Sequence, residues 1–107
     1  MLGAIIGDVV GSRFEWDNCR SKKFDLFTFG CEPTDDSIMT LAIAQALLDT
    51  REDRSTLAEH VVERMQHMGR RYPNAGYGGR FSHWLEERNP KPYGSLGNGA
   101  AMRVSAC

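Results

Sequence analysis

Apolar residues recur every three or four positions in two long segments of the chain, and this is the period of a helix that faces a hydrophobic core. The first segment covers residues 35–49, in which the apolar positions are Ile38, Leu41, Ala42, Ala44, Leu47 and Leu48. The second segment starts after Ser55 or Thr56, either of which is a suitable N-cap, and its inward positions are Leu57, Val61, Val62, Met65 and Met68. The pattern therefore predicts two amphipathic α-helices.

A third helix is predicted over residues 2–14, where glycine occurs at every fourth position. These glycines share one helical face, and such a face lets another backbone approach closely; they are Gly3, Gly7 and Gly11. Apolar residues cover much of the remaining circumference: Leu2, Ile5, Ile6, Val9 and Val10. Because glycine costs about 1 kcal/mol per residue in an isolated helix, we expect this helix to be packed in a core and buried on more than one side.

The segments between these helices lack a sustained period. Residues 16–33 predict a loop whose aromatic residues fold back over the core, although the alternation over residues 24–29 leaves a short strand open. Pro73 ends the second amphipathic helix, and a glycine-rich turn follows it. Two further helices are predicted over residues 80–88, with Phe81, Trp84 and Leu85 on one side, and over residues 99–106.

Composition restricts the class of protein. The chain has 107 residues and a net charge of −1 at pH 7, so it lacks the basic excess with which proteins bind nucleic acid. Its three cysteines form no Cys-x-x-Cys pair, which argues against a disulfide scaffold or a zinc site and favours a reducing compartment. The apolar N-terminus lacks a basic region and is interrupted by Asp8, unlike a signal peptide. We therefore expect a cytoplasmic protein that binds neither nucleic acid nor membranes.

The most informative polar residues open the helix predicted over residues 35–49. Thr34 is a preferred N-cap residue, and Asp35 and Asp36 place two adjacent carboxylates in the first turn. The positive end of the helix dipole favours their charged form, so we expect both to stay ionised without burial forcing protonation. Two interpretations are open: a well-capped acidic helix, which is the commoner explanation of such a turn, or a site for a hard cation.

Other polar features are ambiguous in the same way. Asp8 lies within an apolar helix and is either a satisfied buried carboxylate or a site residue. Glu15 lies at the C-terminal end of that helix, against the preference of the helix dipole, so it is a stronger candidate than a random surface glutamate. The turn at residues 97–99 is either an ordinary turn or a set of backbone N–H groups that can bind an anion. His60 and His67 share a helical face with charged neighbours and are predicted to be surface residues rather than ligands.

Taken together, these features resemble the ADP-ribosylglycohydrolase family, whose all-helical enzymes include the dinitrogenase-reductase-activating glycohydrolase. The matching stretches span nearly the whole chain: residues 3–15, 34–37, 76–80 and 97–103. The resemblance implies an all-α fold, with residues 1–107 forming a single truncated domain that corresponds to its N-terminal part. It also implies hydrolysis of the glycosidic bond between ADP-ribose and a protein side chain or small acceptor. The implied partner is an ADP-ribose-containing small molecule or an ADP-ribosylated protein.

The same resemblance implies the site residues. It implies a binuclear Mg²⁺ or Mn²⁺ site to which four residues contribute oxygen ligands: Glu15, Thr34, Asp35 and Asp36. Glu15 and Asp36 are the implied catalytic carboxylates, and Asp8 supports the site from behind. The ribose and diphosphate are bound by the loop made of Gly94, Ser95, Leu96, Gly97 and Asn98. Carboxylate and hydroxyl oxygens suit these hard cations better than they suit zinc.

The sequence departs from the family in one respect. Family members have a later Asp-x-Asp-Thr segment that supplies the other half of the metal cluster, and this sequence contains none. We therefore expect a half-site, which leaves the activity of the chain open, and an exposed apolar surface that promotes self-association, at Ala101, Met102 and Val104. The alternative hypothesis is a non-catalytic helical fragment that self-associates or binds a complementary C-terminal piece.

Overall fold

Five α-helices make up the structure, and a computed structural model describes all residues, 1–107. They are α1 (Leu2–Gly11), α2 (Asp35–Asp49), α3 (Leu57–Arg71), α4 (Gly79–Glu86) and α5 (Gly99–Met102). Short 3₁₀ turns lie after α1, before α3 and after α5, at Ser12–Phe14, Arg54–Thr56 and Arg103–Ala106. None of the helices has the length and apolar character that a membrane crossing requires. No strand forms at residues 24–29, and the all-α fold class is confirmed.

The hydrophobic core lies between α2, α3 and α4. Its buried residues are Ile38, Met39, Ala42, Met65, Trp84 and Leu85. On α2 the buried face is centred on Met39, Ala42 and Ala46, none of which has exposed surface. Leu41, which the apolar spacing assigns to the core, is exposed because it lies two positions from Met39, on nearly the opposite side of the helix. Leu48 is exposed as well. The helix is therefore predicted correctly, but the side of it that is buried differs from the predicted side.

α4 packs on α3 through one very close contact. Gly69 of α3 is buried, and a Cβ atom at this position would lie 2.6 Å from both Cδ atoms of Leu85. Beside it, the side-chain amide of Gln66 donates to the carbonyl oxygens of Trp84, at 3.1 Å, and Glu87, at 2.8 Å. The last carbonyl groups of a helix have no partner within the helix, so Gln66 satisfies groups that α4 cannot satisfy by itself.

The far end of the α2–α3 pair is joined by an ion pair. Arg64 Nε of α3 lies 2.6 Å from Asp49 Oδ2, and Gln45 donates to the other carboxylate oxygen at 2.8 Å. The hydrogen bonds from Gln45 and Arg64 lower the pKa of Asp49 below its usual value. Asp49 is the last residue of α2, where the helix dipole disfavours a negative charge, and the two donors offset that disadvantage.

α1 has the predicted conformation but not the predicted environment. Val10 is its one buried residue, while Leu2 is 71% exposed and Ile6 44% exposed. No atom lies within 4 Å of a Cβ atom built at any of the three glycines of α1. The expected burial on more than one side is therefore wrong for this chain, because α1 packs against α2 and no other helix covers its glycine face.

The loop at residues 16–33 is irregular, as predicted, but its aromatic residues do not fold back over the core. Phe27 and Phe29 have most of their surface exposed, and Phe24 is 43% exposed. Phe24 makes the one aromatic contact of the loop, edge-on to Phe14 with ring centroids 5.3 Å apart. The side chain of Arg13 donates hydrogen bonds to the loop at two positions. These contacts hold the loop beside the 3₁₀ turn after α1 and away from the α2–α4 core.

The start of α3 differs from the sequence prediction. Neither Ser55 nor Thr56 accepts a capping hydrogen bond from the helix. Instead Asp53, in extended conformation, accepts from the Ser55 N–H at 2.8 Å and so caps the 3₁₀ turn that leads into α3. Four of the five inward positions predicted for α3 are confirmed, since Met65 is buried and Val61, Val62 and Met68 pack against the core, whereas Leu57 is half-buried and lies outside this core.

The last helix is shorter than predicted. The α-helical hydrogen bonds end at Met102, and residues up to Ala106 continue as a 3₁₀ turn. Ala101 is exposed and Val104 is 63% exposed, as expected, whereas Met102 packs against the core and is half-buried.

Replacing Gly69 by alanine tests the contact between α3 and α4. The new methyl group overlaps the buried Leu85 side chain, and such overpacking costs about 1–3 kcal/mol, which exceeds the gain in helix propensity of up to about 1 kcal/mol. We expect the midpoint of thermal unfolding to fall. The matched control is Gly7→Ala in α1, where no atom lies within 4 Å and the midpoint should rise or stay unchanged. Equal effects of the two substitutions would contradict the close contact.

Replacing Asp49 by asparagine tests the ion pair through its pH dependence. The folded-state pKa of Asp49 is lowered, so its stabilising contribution is present above the unfolded pKa and is lost as the pH falls. The unfolding midpoints of the wild type and of Asp49→Asn should differ at pH 7. The difference should begin to decrease below about pH 4 and disappear only once the pH lies below the lowered folded-state pKa. Glu52→Gln, which alters an exposed pair with Arg51, should change little at any pH. A difference that does not decrease as the pH falls below about 4 would contradict the assignment.

Candidate active site

The carboxylate of Asp8 joins α1 to the start of α2. Its Oδ2 accepts from the backbone N–H groups of Thr34, at 2.9 Å, and Ser37, at 3.2 Å. Its two oxygens also accept from the hydroxyl groups of Thr34 and Ser37, each at 2.5 Å. Of the two interpretations of Asp8, a carboxylate satisfied within the structure is therefore the correct one. The residue also lies directly behind the acidic first turn of α2.

The N-cap of α2 is Thr34, as predicted. Its backbone is extended, with φ −104° and ψ −169°, and its hydroxyl oxygen accepts from the Asp36 N–H at a long 3.4 Å. The first N–H groups of a helix have no acceptor within the helix, and here the Asp8 carboxylate serves as an additional acceptor from another helix. Thr34 and Asp8, which are distant in sequence, thus both fix the first turn of α2. The sequence pattern at residues 34–37 could reveal only Thr34.

Asp35 and Asp36 were predicted to stay ionised without burial forcing protonation, but burial shifts the pKa of both towards protonation. Burial, followed by the charges of Asp36, Glu15 and Asp8, raises the pKa of Asp35 to about 6. The pKa of Asp36 is raised as well, by burial and by Asp8, and the charge of Arg103 acts in the opposite direction. The helix dipole therefore does not decide the pKa of these groups, because desolvation and the neighbouring carboxylates outweigh it.

The backbone of Asp35 connects the acidic turn to the segment before α4. Its N–H donates to the carbonyl oxygen of Ala75 at 2.7 Å. Gly76 follows with φ +90°, a backbone conformation that favours glycine. A Cβ atom at Gly76 would lie 3.9 Å from Asp35 Oδ1, so this turn passes alongside the carboxylate.

One cavity of about 970 Å³ is lined by every residue that the sequence analysis assigned to the site. On one side lie the acidic residues and their cap: Asp8, Glu15, Thr34, Asp35 and Asp36. The 94–98 loop lines the same cavity. Arg80, Phe81 and Trp84 of α4 line it as well, and so does Arg103 in the turn after α5. His60 and His67 do not line it. Residues from four separate parts of the chain therefore surround one space.

The 94–98 loop is attached to α4 at its N-terminal side. Trp84 Nε1 donates to the carbonyl oxygen of Lys91 at 3.1 Å, and Arg80 donates to that of Tyr93 at 3.0 Å. The Arg80 guanidinium also lies over the Tyr93 ring, 5.2 Å from its centroid. Beyond Tyr93, Gly94 adopts a positive φ of 62°, and the side chain of Leu96 is 97% exposed. The anchored part of the loop thus ends where the predicted substrate-binding residues begin.

Mg²⁺ and Mn²⁺ prefer oxygen ligands, and the acidic residues provide such oxygens. Their carboxylates also repel one another, and a bound cation would reduce this repulsion. No group of three or more histidine, cysteine, aspartate or glutamate side chains lies close enough together to hold a metal ion. The residues therefore match a hard cation by donor type and by charge, but these side chains do not by themselves form a cluster that could hold one.

Arg103 is one of the charged residues of the cavity to which sequence reasoning assigned no role. Its guanidinium lies over the Phe81 ring, 4.8 Å from the centroid, and burial lowers its pKa while Asp35, Tyr93 and Asp36 act to raise it. Arg103 is the last residue of the motif at residues 97–103. A basic side chain shortly after a glycine-rich turn is the sequence signal that could have identified it.

Comparison with known proteins identifies the family of the chain. The sequence profile of the ADP-ribosylglycohydrolase family matches residues 1–107, and the chain belongs to this family. It is similar to ADP-ribosylhydrolase ARH3 of Xenopus tropicalis, with 31% identity over 130 aligned residues that cover 97% of this chain and 36% of the relative. The chain thus spans about a third of the length of that relative. No solved structure matches it. The family inferred from the sequence motifs is confirmed.

Replacing Asp8 by asparagine tests the connection between α1 and α2. The asparagine side chain keeps one oxygen as an acceptor, but its NH₂ group would face the N–H and O–H donors of Thr34 or Ser37. The charge-assisted hydrogen bonds to that residue are therefore lost. We expect a loss of about 2–4 kcal/mol in the free energy of unfolding, measured by denaturant titration, and faster amide exchange in α1. Asp17→Asn, which alters an exposed carboxylate in the loop after α1, is the control and should change neither value. Unchanged exchange in Asp8→Asn would contradict the role of this carboxylate.

Proposed function

We propose that this chain forms part of the active site of a metal-dependent hydrolase, which cleaves the glycosidic bond between ADP-ribose and a protein side chain or a small acceptor. The observation that carries the proposal is the single cavity, lined both by the acidic first turn of α2 and by the 94–98 loop. Family membership supports the reaction class, and the volume of about 970 Å³ is ample for a nucleotide-sized ligand.

Each side of the cavity has a distinct task in this proposal. Glu15, Thr34, Asp35 and Asp36 hold Mg²⁺ or Mn²⁺, while Asp8 keeps the Thr34 and Asp36 region in place. A bound ion would orient the ribose hydroxyl groups and lower the pKa of the water molecule that it binds. The carboxylates of Glu15 and Asp36 also stabilise the positive charge that develops at the anomeric carbon as the glycosidic bond breaks.

The opposite side binds the anionic part of the substrate. Backbone N–H groups of the 94–98 loop hold the ribose and diphosphate, since successive N–H groups form a favourable environment for anions. The rings of Phe81 and Trp84, which stack with centroids 5.4 Å apart, provide an apolar wall beside it. Because the chain covers 36% of the length of its relative, the rest of the metal shell is proposed to come from sequence outside residues 1–107.

A second candidate function is that of a non-catalytic helical piece, which self-associates or binds a complementary C-terminal piece. The observation that favours it is the uncovered apolar surface on α1 and after α5, including Leu2, Ile6 and Val104. Such surfaces are typical of positions that another helix covers.

Calorimetric titration with MgCl₂ or MnCl₂, with and without ADP-ribose, distinguishes the two candidates. We expect wild-type binding that Asp35→Ala/Asp36→Ala weakens by at least about tenfold, since two carboxylate ligands of a hard cation are removed. Asp53→Ala is the matched control, because it removes an acidic cap that does not line the cavity. Equal binding by the double variant would refute the metal site. No binding, together with concentration-dependent self-association in sedimentation, would favour the second candidate.

A further inference from the structure

A phosphate-bearing ligand of the cavity needs positive charge close to the place where its phosphates bind. The carboxylates of four residues line the cavity: Asp8, Glu15, Asp35 and Asp36. They repel an anionic ligand, and a nearby cation offsets this repulsion. Three cations line the cavity as well: Arg80, Lys91 and Arg103. The contacts of these three side chains decide which of them is placed to bind a phosphate.

Arg80 is the cation among these three whose side chain is hydrogen-bonded to the chain. Its Nη2 donates to the carbonyl oxygen of Tyr93 at 3.0 Å, and its guanidinium lies 5.2 Å from the centroid of the Tyr93 ring. The side chains of Lys91 and Arg103 make neither a hydrogen bond nor an ion pair. Because Tyr93 directly precedes Gly94, the two contacts hold the Arg80 guanidinium at the start of the 94–98 loop.

Most of the hydrogen-bonding capacity of Arg80 is unused. A guanidinium has five N–H donors, and one of them is bonded to the Tyr93 carbonyl oxygen. The three ion pairs of the structure involve other residues, and Arg80 is exposed. Parallel N–H groups of a guanidinium match the spacing of two phosphate oxygens. The remaining donors of Arg80 are therefore free to bind a phosphate.

The backbone on both sides of this guanidinium adds further donors and space. α4 begins at Gly79 without a side-chain cap, so its first N–H groups have no acceptor. In the 94–98 loop the Gly97 N–H donates to Ser95 Oγ at 3.2 Å, whereas the other four N–H groups have no acceptor within the chain. No atom lies within 4 Å of a Cβ atom built at Gly79 or Gly94, and both glycines line the cavity. The space beside Arg80 is therefore open.

We propose that Arg80 binds the diphosphate of the substrate and makes the cavity selective for ligands that carry one. The assignment rests on the hydrolase function proposed above, because that function places ADP-ribose in this cavity. The guanidinium donates parallel N–H groups to the phosphate oxygens, while its contacts with Tyr93 keep it beside the 94–98 loop. Its charge also offsets the repulsion between the diphosphate and the carboxylates of the cavity.

Calorimetric titration with ADP-ribose in MgCl₂ tests the assignment. Arg80→Met keeps a long side chain but removes the charge and the donors, and we expect it to bind ADP-ribose at least about tenfold more weakly than the wild type. Arg80→Lys keeps the charge without the parallel donors, so its affinity should lie between the two. The matched control is Arg88→Met, which removes the same charge from a residue that does not line this cavity and should stay within about twofold of the wild type.

The salt dependence of the affinity separates a direct contact from a structural effect. Wild-type affinity should fall as the NaCl concentration rises, and the fall should be less steep for Arg80→Met, because one charge pair with the ligand is gone. A merely structural role, through the position of Tyr93, would weaken binding at every salt concentration and leave the slope unchanged. Wild-type affinity or a wild-type slope in Arg80→Met would overturn the assignment.

Failure of this assignment is distinguishable from failure of the proposed function. Equal binding of ADP-ribose by the wild type and Arg80→Met would overturn the role of Arg80 and leave the proposed function intact. Absence of ADP-ribose binding by the wild type would overturn both. Weaker binding by Arg80→Met, together with binding by Asp35→Ala/Asp36→Ala that equals the wild type with and without MgCl₂, would support the role of Arg80 and overturn the metal dependence.

Discussion

The candidate site depends on one half-buried interaction, the hydrogen bonding of the Asp8 carboxylate to the first turn of α2. Four donors from Thr34 and Ser37 converge on this group, so α1 and α2 meet at a fixed point and the adjacent Asp35 and Asp36 are presented to the cavity. The arrangement has an electrostatic cost. Burial, followed by the charges of Asp36 and Glu15, raises the pKa of Asp35 to about 6, and the charge of Asp8 acts in the same direction. The stability of the turn and its affinity for positive charge therefore have the same origin.

A positive charge from the chain itself lines the same cavity as this turn. Arg103 comes from the far end of the sequence, yet the hydrogen bond from Thr40 to Met102 brings it beside the same helix. Its guanidinium lies on an aromatic ring and not against a carboxylate. A cation held in this way is near enough to influence the acidic pair and remains separate from it, which leaves the carboxylate oxygens available to a ligand.

The sequence predicted the helices well because their periodicity, caps and breakers are local. The bounds of α2 agree with the prediction, since Thr34 caps its start and the apolar period continues to Asp49. The membership of the site could be inferred from motifs as well. What the sequence could not predict depends on three-dimensional contact. The buried face of α2 follows from its packing with Met65 of α3 and with Trp84 and Leu85 of α4, and the exposure of α1 follows from the absence of a neighbouring helix on its glycine face. The raised pKa of Asp35 likewise needs the positions of Glu15 and Asp8, which only the fold brings together.

The attachment of the 94–98 loop has a mechanical consequence. On one side the Lys91 and Tyr93 carbonyl groups are bonded to α4, and on the other the Met102 carbonyl is bonded to α2. The segment between these anchors is short, begins with a glycine in the left-handed region and carries exposed side chains. Its two ends are hydrogen-bonded to helices that share one core, so the separation of the two attachment points is set by the packing of that core and not by the loop itself.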